Sequence, residues 1–91
     1  MTLWVRSLLV TGDPAEVERA LPGHLDQLRA LRGEGRLRAA GALADGDGFV
    51  EIFAAADRHQ AEATLRASPL VDRGLVSWVL RRWDEIDLEA G

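Results

Sequence analysis

The sequence contains no cysteine and no lysine. The absence of cysteine excludes disulfide bonds, thiolate nucleophiles and cysteine-ligated zinc sites. The absence of lysine excludes a Schiff-base lysine and a lysine general base. Two histidines without a cysteine do not predict a metal site either, so we expect neither a metal nor a cofactor.

Long hydrophobic runs are also missing, and no stretch approaches the roughly 20 apolar residues of a membrane-spanning helix. The chain opens on strand-like alternation instead of the segments of a signal peptide, which predicts a cytoplasmic protein. Its formal net charge is −4, and its arginines are spread along the whole sequence. Because the arginines do not cluster into a positively charged surface that would bind phosphate groups, neither nucleic acid nor a membrane is an expected partner. The acidic segment 84–89 is interpreted as a solvated terminus.

With 91 residues, 47% of them hydrophobic, the chain has the composition of one ordinary globular domain. So short a chain builds only a modest core, and oligomerisation is a natural way for it to bury more surface. We therefore expect a single domain, residues 1–91, that works as a dimer.

Alternation and turn residues predict four strands and two helices. Asp13 and Pro14 have the side-chain cap and the fixed φ that begin a helix, whereas Pro22 and Gly23 are expected to interrupt it. Asp57 caps the second helix, which Ser68-Pro69 ends. The predicted elements are strand 3–10, a short helix to 21, a main helix 22–32, strands 36–44 and 49–54 joined by a hairpin turn, helix 57–67 and strand 75–83.

This β-α-β-β-α-β order predicts a ferredoxin-like α+β fold, a four-stranded antiparallel sheet with both helices on one face. The other face is bare and apolar, so we expect two subunits to pack sheet against sheet. The three tryptophans, Trp4, Trp78 and Trp83, fall on the first and last strands. These strands are expected to be neighbouring central strands, with the tryptophans in the core and the dimer interface.

His24 is the candidate functional residue that the residue pattern singles out. At 100° per residue it shares one helical stripe with four leucines and faces the sheet, whereas His59 lies on the opposite side of the second helix. Such a histidine acts either as a general acid or base or as a satisfied packing residue at a helix start. Arg6 or Arg81 is a candidate for holding a carboxylate ligand, although exposed or interface pairing is the favoured interpretation.

Short motifs in a fixed order span most of the chain. They are His24-Leu25 with Leu28, Leu31 and Gly35, then Leu37 with Ala40-Gly41-Ala42-Leu43, then Gly48, and finally Ser68-Pro69-Leu70 with Gly74-Leu75-Val76. In this order and spacing, residues 5–83 resemble the YciI-like proteins, or YCII-related domain, of the dimeric α/β-barrel group.

The resemblance implies a dimer of ferredoxin-like subunits with a His and an Asp in a cleft between helix and sheet. The family histidine corresponds to His24, but the family Asp-Pro-Phe corresponds to Ser68-Pro69-Leu70, so the aspartate is missing. Ala42 stands where the family has proline. Asp72 is a candidate replacement for the aspartate, although a solvated loop residue is the favoured interpretation.

Two functional hypotheses follow. The first is a YciI-like protein that binds a small anionic or lactone-like metabolite and transfers a proton with His24, as a lyase, isomerase or dehalogenase. The alternative is a non-catalytic dimeric ligand-binding or accessory module, which loss of the aspartate favours. A Ser68-His24 nucleophile pair is rejected because no acid, oxyanion hole or nucleophile elbow is evident. A monooxygenase of this fold is disfavoured because only 5% of the residues are aromatic.

Overall fold

The computed structural model describes residues 1–89. The predicted element order is confirmed, with one short helix added before the last strand. The elements are β1 (Thr2–Val10), α1 (Pro14–Gly33), β2 (Leu37–Ala42), β3 (Gly48–Ala55), α2 (Arg58–Arg66), α3 (Pro69–Asp72) and β4 (Val76–Trp83). Within the described residues, no helix is long and apolar enough to cross a membrane.

The four strands form one antiparallel sheet in the order β2-β3-β1-β4, the ferredoxin-like arrangement that the sequence predicts. The first and last strands are neighbours, as expected, but β4 is an edge strand, so the prediction of two central strands is wrong. The reason is that the β2–β3 hairpin adds on the other side of β1. Trp4 is core and Trp83 lies on the open face, but Trp78 pairs with Leu8 and so lies on the helix-covered face.

Alternation along the strands separates a helix-covered face from an open face. Arg6 in β1 is directly opposite Glu51 in β3 and Leu80 in β4, so these three side chains point toward the helices. The core beneath the helices contains Trp4, Leu8, Phe53, Ala55, Leu65, Leu70 and Leu80. Val50, Val79 and Trp83 lie on the open face, where 36%, 55% and 39% of their surfaces remain exposed.

Helix α1 runs unbroken through Pro22 and Gly23, so the predicted interruption is wrong. A proline within a helix removes one backbone hydrogen bond, but burial of Ala20, His24 and Leu31 along one face of α1 holds the helix together. Gly23 has a different role from helix breaking. A Cβ at this position would lie 2.8 Å from Cγ of Pro69, the first residue of α3. Glycine therefore lets Pro69 pack closely against α1.

Gly23→Ala is expected to lower the free energy of unfolding by about 1 kcal/mol, since overpacking costs about 1–3 kcal/mol and removal of a helical glycine returns about 1 kcal/mol. Gly33→Ala is the matched control, because no atom lies within 4 Å of its added Cβ. The control is expected to be neutral or stabilising. Urea unfolding of both variants is the measurement, and equal stabilisation by the two alanines would contradict the packing role of Gly23.

The added helix α3 begins at the residues that end α2. Ala67 is the C-cap of α2, and the Ser68 side chain accepts a hydrogen bond from the backbone N–H of Leu70, which makes Ser68 the N-cap of α3. The sequence predicts the end of α2 here but not the new start. This junction fixes the Ser68 hydroxyl in the interior, beside α1.

Candidate functional site

Four polar side chains meet in the interior between α1 and the helix-covered face of the sheet. Arg6 of β1, His24 of α1, Glu51 of β3 and Ser68 before α3 are each exposed by 1% or less. Buried polar groups carry a large desolvation cost unless they are paired, so their partners decide whether such a cluster is tolerated. Across the described part of the chain, no three histidine or acidic side chains group as a metal site.

Glu51 lies at the centre of this cluster. Its Oε2 is 2.7 Å from Nε2 of His24, and its Oε1 is 2.5 Å from Nε of Arg6. Because Arg6 and Glu51 are opposite residues of neighbouring strands, the sheet register itself brings the two charges together. The buried carboxylate therefore has an arginine on one oxygen and an imidazole on the other.

Arg6 is held by groups outside the pair as well. Its Nη2 donates to Oε1 of Gln27 at 2.9 Å and its Nη1 to the carbonyl oxygen of Thr64 at 3.2 Å. Gln27 in turn donates to the same Thr64 carbonyl at 2.6 Å. The guanidinium is thus fixed between β3, α1 and α2, and this fixes the direction from which its charge acts on Glu51.

The second imidazole nitrogen of His24 meets Ser68, with 2.7 Å between Nδ1 and Oγ. A carboxylate only accepts hydrogen bonds, so Nε2 carries the proton that bonds to Glu51. Nδ1 of His24 and Oγ of Ser68 share one hydrogen bond, while Ser68 Oγ also accepts the N–H of Leu70. Every polar atom in this chain of contacts has a partner.

Burial raises the pKa of the Glu51 carboxyl, but the hydrogen bonds and charge interactions with His24 and Arg6 together outweigh it. The pKa of Glu51 is therefore held below its ordinary value of 4.5. The carboxylate remains charged at neutral pH in spite of its burial.

Glu51 is expected to make the protein acid-labile. With a depressed folded-state pKa, its contribution to stability is complete above about pH 4.5 and declines as the pH falls through the folded value, because the unfolded chain takes up the proton first. Glu51→Gln is expected to flatten the loss of stability between about pH 5 and pH 3. Urea midpoints measured across this range check it, with exposed Glu62→Gln as control. An unchanged slope in Glu51→Gln would contradict the assignment.

The structure brings His24 and Ser68 together, but Asp72 is exposed at the end of α3 and makes no contact with His24, so it does not replace the family aspartate. The favoured interpretation of Arg6 as exposed or at an interface is wrong, since Arg6 is fully buried and pairs within the chain. Arg81 is exposed on the open face. Its role as a ligand contact stays a prediction.

Sequence reasoning missed Glu51. The signal was present, because Glu51 alternates with Phe49 and Phe53 and must share their face, as Arg6 shares the face of Trp4 and Leu8. Two opposite charges on core-facing strand positions predict a buried pair. The missing carboxylate therefore lies on β3, 17 residues before the family position at Ser68.

Ser68, His24 and Glu51 follow one another as in a hydrolase triad, but Ser68 is fully buried and its hydroxyl caps α3. Its role is to fix the imidazole and the turn. Ser68→Ala is expected to destabilise the protein by about 2–3 kcal/mol, since it removes a cap and leaves Nδ1 without a partner. Thermal and urea unfolding check this, with exposed Ser77→Ala as control. Labelling of Ser68 by a fluorophosphonate would contradict it.

A cleft of about 180 Å³ opens between α1 and β2 and reaches Glu51. Its other lining residues are apolar or small: Leu25, Leu28, Ala40, Gly41, Ala42 and Phe49. The ring of Phe49 also packs on the His24 imidazole, with 5.4 Å between their centroids. Leu25, predicted to face the sheet, is 38% exposed at this cleft instead. The cleft exists because α1 leaves the edge strand β2 largely uncovered.

Several solved structures share this fold. 5-chloro-2-hydroxyhydroquinone dehydrochlorinase (TftG) from Burkholderia phenoliruptrix AC1100, in complex with 2,5-dihydroxybenzoquinone, aligns with a TM-score of 0.70 and 18% identity, over 92% of this chain and 95% of that chain. An antibiotic biosynthesis monooxygenase aligns at 0.65 and 16% identity over 96% and 100%. SnoaB, a cofactor-independent oxygenase from Streptomyces nogalater, aligns at 0.54 and 16% identity over 99% and 97%.

At these identities the likeness shows the fold alone, which is the ferredoxin-like α+β fold. No curated protein sequence matches significantly. A family profile does match, over residues 6–83, and it covers the second half of β1 and every later strand and helix. The resemblance inferred from the residue pattern is confirmed: the chain belongs to the YCII-related domain family.

Proposed function

We propose that this protein binds a small, mostly apolar metabolite in the α1–β2 cleft and transfers a proton within it by means of Glu51 and His24. The observation that carries the proposal is that Glu51 is the one acidic residue of the described chain that lines an otherwise apolar cleft, and that an imidazole and a guanidinium bond its buried carboxylate. Glu51 supplies the carboxylate that the substitution of Ser68 for the family aspartate removes.

The proposed chemistry is a proton transfer next to a carbonyl. The ionised carboxylate of Glu51 takes a proton from a carbon or hydroxyl of the ligand, and the resulting carboxylic acid returns it at another atom of the same ligand. Because the pKa of Glu51 is low, it is a weak base and its conjugate acid is a strong proton donor. This favours ligands whose proton is already acidified by conjugation, as in lactones, enols and hydroquinones. His24 steadies the charge of Glu51 and keeps its orientation.

The charge of the cleft favours a ligand that is neutral where it meets Glu51. An anionic group placed against the carboxylate would be repelled at short range in an apolar cleft. Of the two ligand classes that the sequence suggests, a lactone-like ring therefore fits this end of the cleft better. The dehydrochlorinase of the same fold, whose name refers to a hydroxyhydroquinone, suggests a hydroquinone ring as a starting probe, because hydroquinone is uncharged at neutral pH.

A non-catalytic ligand-binding module is the second candidate. It is favoured by the complete pairing of His24, both of whose nitrogens are bonded while its side chain is fully buried. In this case the network would hold α1 on the sheet, and the cleft would bind without turnover. The two candidates differ in whether ligand protons exchange.

We also propose that the protein is a homodimer through its open sheet face. The face is apolar over its centre, where Val5, Val50, Ile52 and Val79 lie on adjacent strands, and it carries Trp83 at one end. Apolar patches of this kind usually mark an interface.

Deuterium exchange tests the proton-transfer proposal. Muconolactone and hydroquinone are incubated with the protein in heavy water and followed by proton NMR. The native protein is expected to accelerate exchange of a ring proton, and Glu51→Gln to reduce the rate by about 10²–10⁴-fold. Exposed Glu62→Gln is the matched control for loss of one carboxylate.

Ala42→Leu is the second variant, because it fills the cleft and leaves the hydrogen bonds of Glu51 in place. It is expected to abolish ligand-induced thermal stabilisation without loss of fold. Binding without exchange in the native protein would favour the module. Absence of both from every probe would remove the proposal.

A further inference from the structure

A second cleft, of about 210 Å³, adjoins the one that contains Glu51. The two share Leu25, Leu28 and Ala40 as lining residues, so they lie side by side between α1 and β2, and we call them together the α1–β2 groove. We call the end at Glu51 the proton-transfer end. The other end is lined by Arg29 and Arg32 on α1, with Leu37 from β2, and we call it the arginine end.

An acidic side chain lines one end of the groove and two basic side chains line the other. At the proton-transfer end, the charge of Glu51 is matched by buried Arg6. At the arginine end, Arg29 bonds Asp26 at 2.9 Å, with both side chains more than half exposed. Arg32 is in no ion pair within residues 1–89. No carboxylate lines this end of the groove, in a chain whose net charge is −4.

The helix sets the length of a ligand that would reach both ends. Arg32 follows Leu28 by four residues and Leu25 by seven, which at about 1.5 Å per residue is a displacement of about 6–10 Å along α1. Leu25 and Leu28 line both clefts, and the reacting ring would lie against them on the side of Glu51. A ring with a side chain of two or three bonds between it and an anionic group spans this distance.

We infer that the groove takes a carboxylic acid, with its ring at Glu51 and its carboxylate at Arg32. This inference rests on the proposed function, since it assigns the class of ligand to the same cleft. Guanidinium recognises a carboxylate with two parallel hydrogen bonds, and the apolar stretch between the ends excludes a second charge there. The carboxylate thus gives orientation, while the neutral ring avoids repulsion by Glu51.

Matched acids and amides test the inference. The probes are benzoate, 3-phenylpropionate and 3-phenylpropanamide, with dissociation constants taken from NMR titration at low ionic strength. For the native protein, 3-phenylpropionate is expected to bind about five- to tenfold more tightly than its amide and than benzoate. Arg32→Gln is expected to remove this preference and leave amide binding unchanged. Arg19→Gln, on the exposed side of the same helix, is the control.

Each outcome has a definite meaning. Equal binding of acid and amide to the native protein, with both lost in Ala42→Leu, overturns the arginine subsite while the cleft and the proposed function stand. A preference for the acid that survives Arg32→Gln also overturns the subsite. If none of the three probes binds, the subsite is overturned and the ligand-binding part of the proposed function fails with it.

Discussion

Replacing Arg6 by methionine is expected to lower the free energy of unfolding by about 3–5 kcal/mol, the usual cost of leaving a buried charge without its partner. Glu51 would keep only His24 as a donor in an interior where its carboxylate is 1% exposed. The amide oxygen of Gln27 and the carbonyl of Thr64 would each lose a donor as well. Urea unfolding of the variant measures the change.

Removal of both charges is expected to restore most of the lost stability. In the double variant Arg6→Met with Glu51→Gln, the interior carries no ion, and the glutamine oxygen still accepts from Nε2 of His24. The four proteins form a double-mutant cycle whose coupling energy is expected to be about 2–3 kcal/mol.

Arg58 and Glu62 give a matched control for this cycle. They form an ion pair of 3.0 Å on the surface of α2, with 57% and 40% of their side chains exposed. Its coupling energy is expected to be below about 0.5 kcal/mol, because solvent screens an exposed pair. Additive effects of the Arg6 and Glu51 substitutions would mean that the buried pair is not a unit, and would weaken its place in the proposed chemistry.

The fold is predictable from this sequence because its signals are local and repeated. Alternation in residues 3–10 and 49–54 predicts two strands. The Asp-Gly turn between residues 45 and 48 predicts that the second of them pairs with strand 36–44 in a hairpin. Caps at Asp13 and Asp57 mark helix starts that the structure confirms. These signals depend on local backbone conformation and on the period of the side chains, and neither requires contacts between residues far apart in the sequence.

What the sequence did not predict depends on contacts between elements. Pro22-Gly23 has the local signature of a break, but the burial of one face of α1 and the contact of Gly23 with Pro69 override it. The pairing of Glu51 with His24 can be identified only when the register of β3 against β1 and the position of α1 on the sheet are known. Local chemistry also gives no hint that the Ser68-Pro69 junction turns the serine hydroxyl inward to Nδ1 of His24.

Val79→Asp is expected to convert the proposed dimer into a monomer of 9.9 kDa. Val79 is 55% exposed in the single chain and lies on the open face of the edge strand β4, opposite Ser7. An aspartate there would be buried without a partner on both sides of a twofold interface. At about 3 kcal/mol for each copy, the dissociation constant is expected to rise by about four orders of magnitude.

Light scattering at micromolar concentration makes the measurement, with Arg19→Asp on the helical side as control. If the native chain itself has a mass of 9.9 kDa, the sheet-face dimer is wrong. Because the side chain of Glu51 points to the opposite face of the sheet from that of Val79, monomeric Val79→Asp is expected to keep the affinity of the α1–β2 groove for 3-phenylpropionate. Loss of that affinity together with the dimer would mean that the second subunit completes the ligand site.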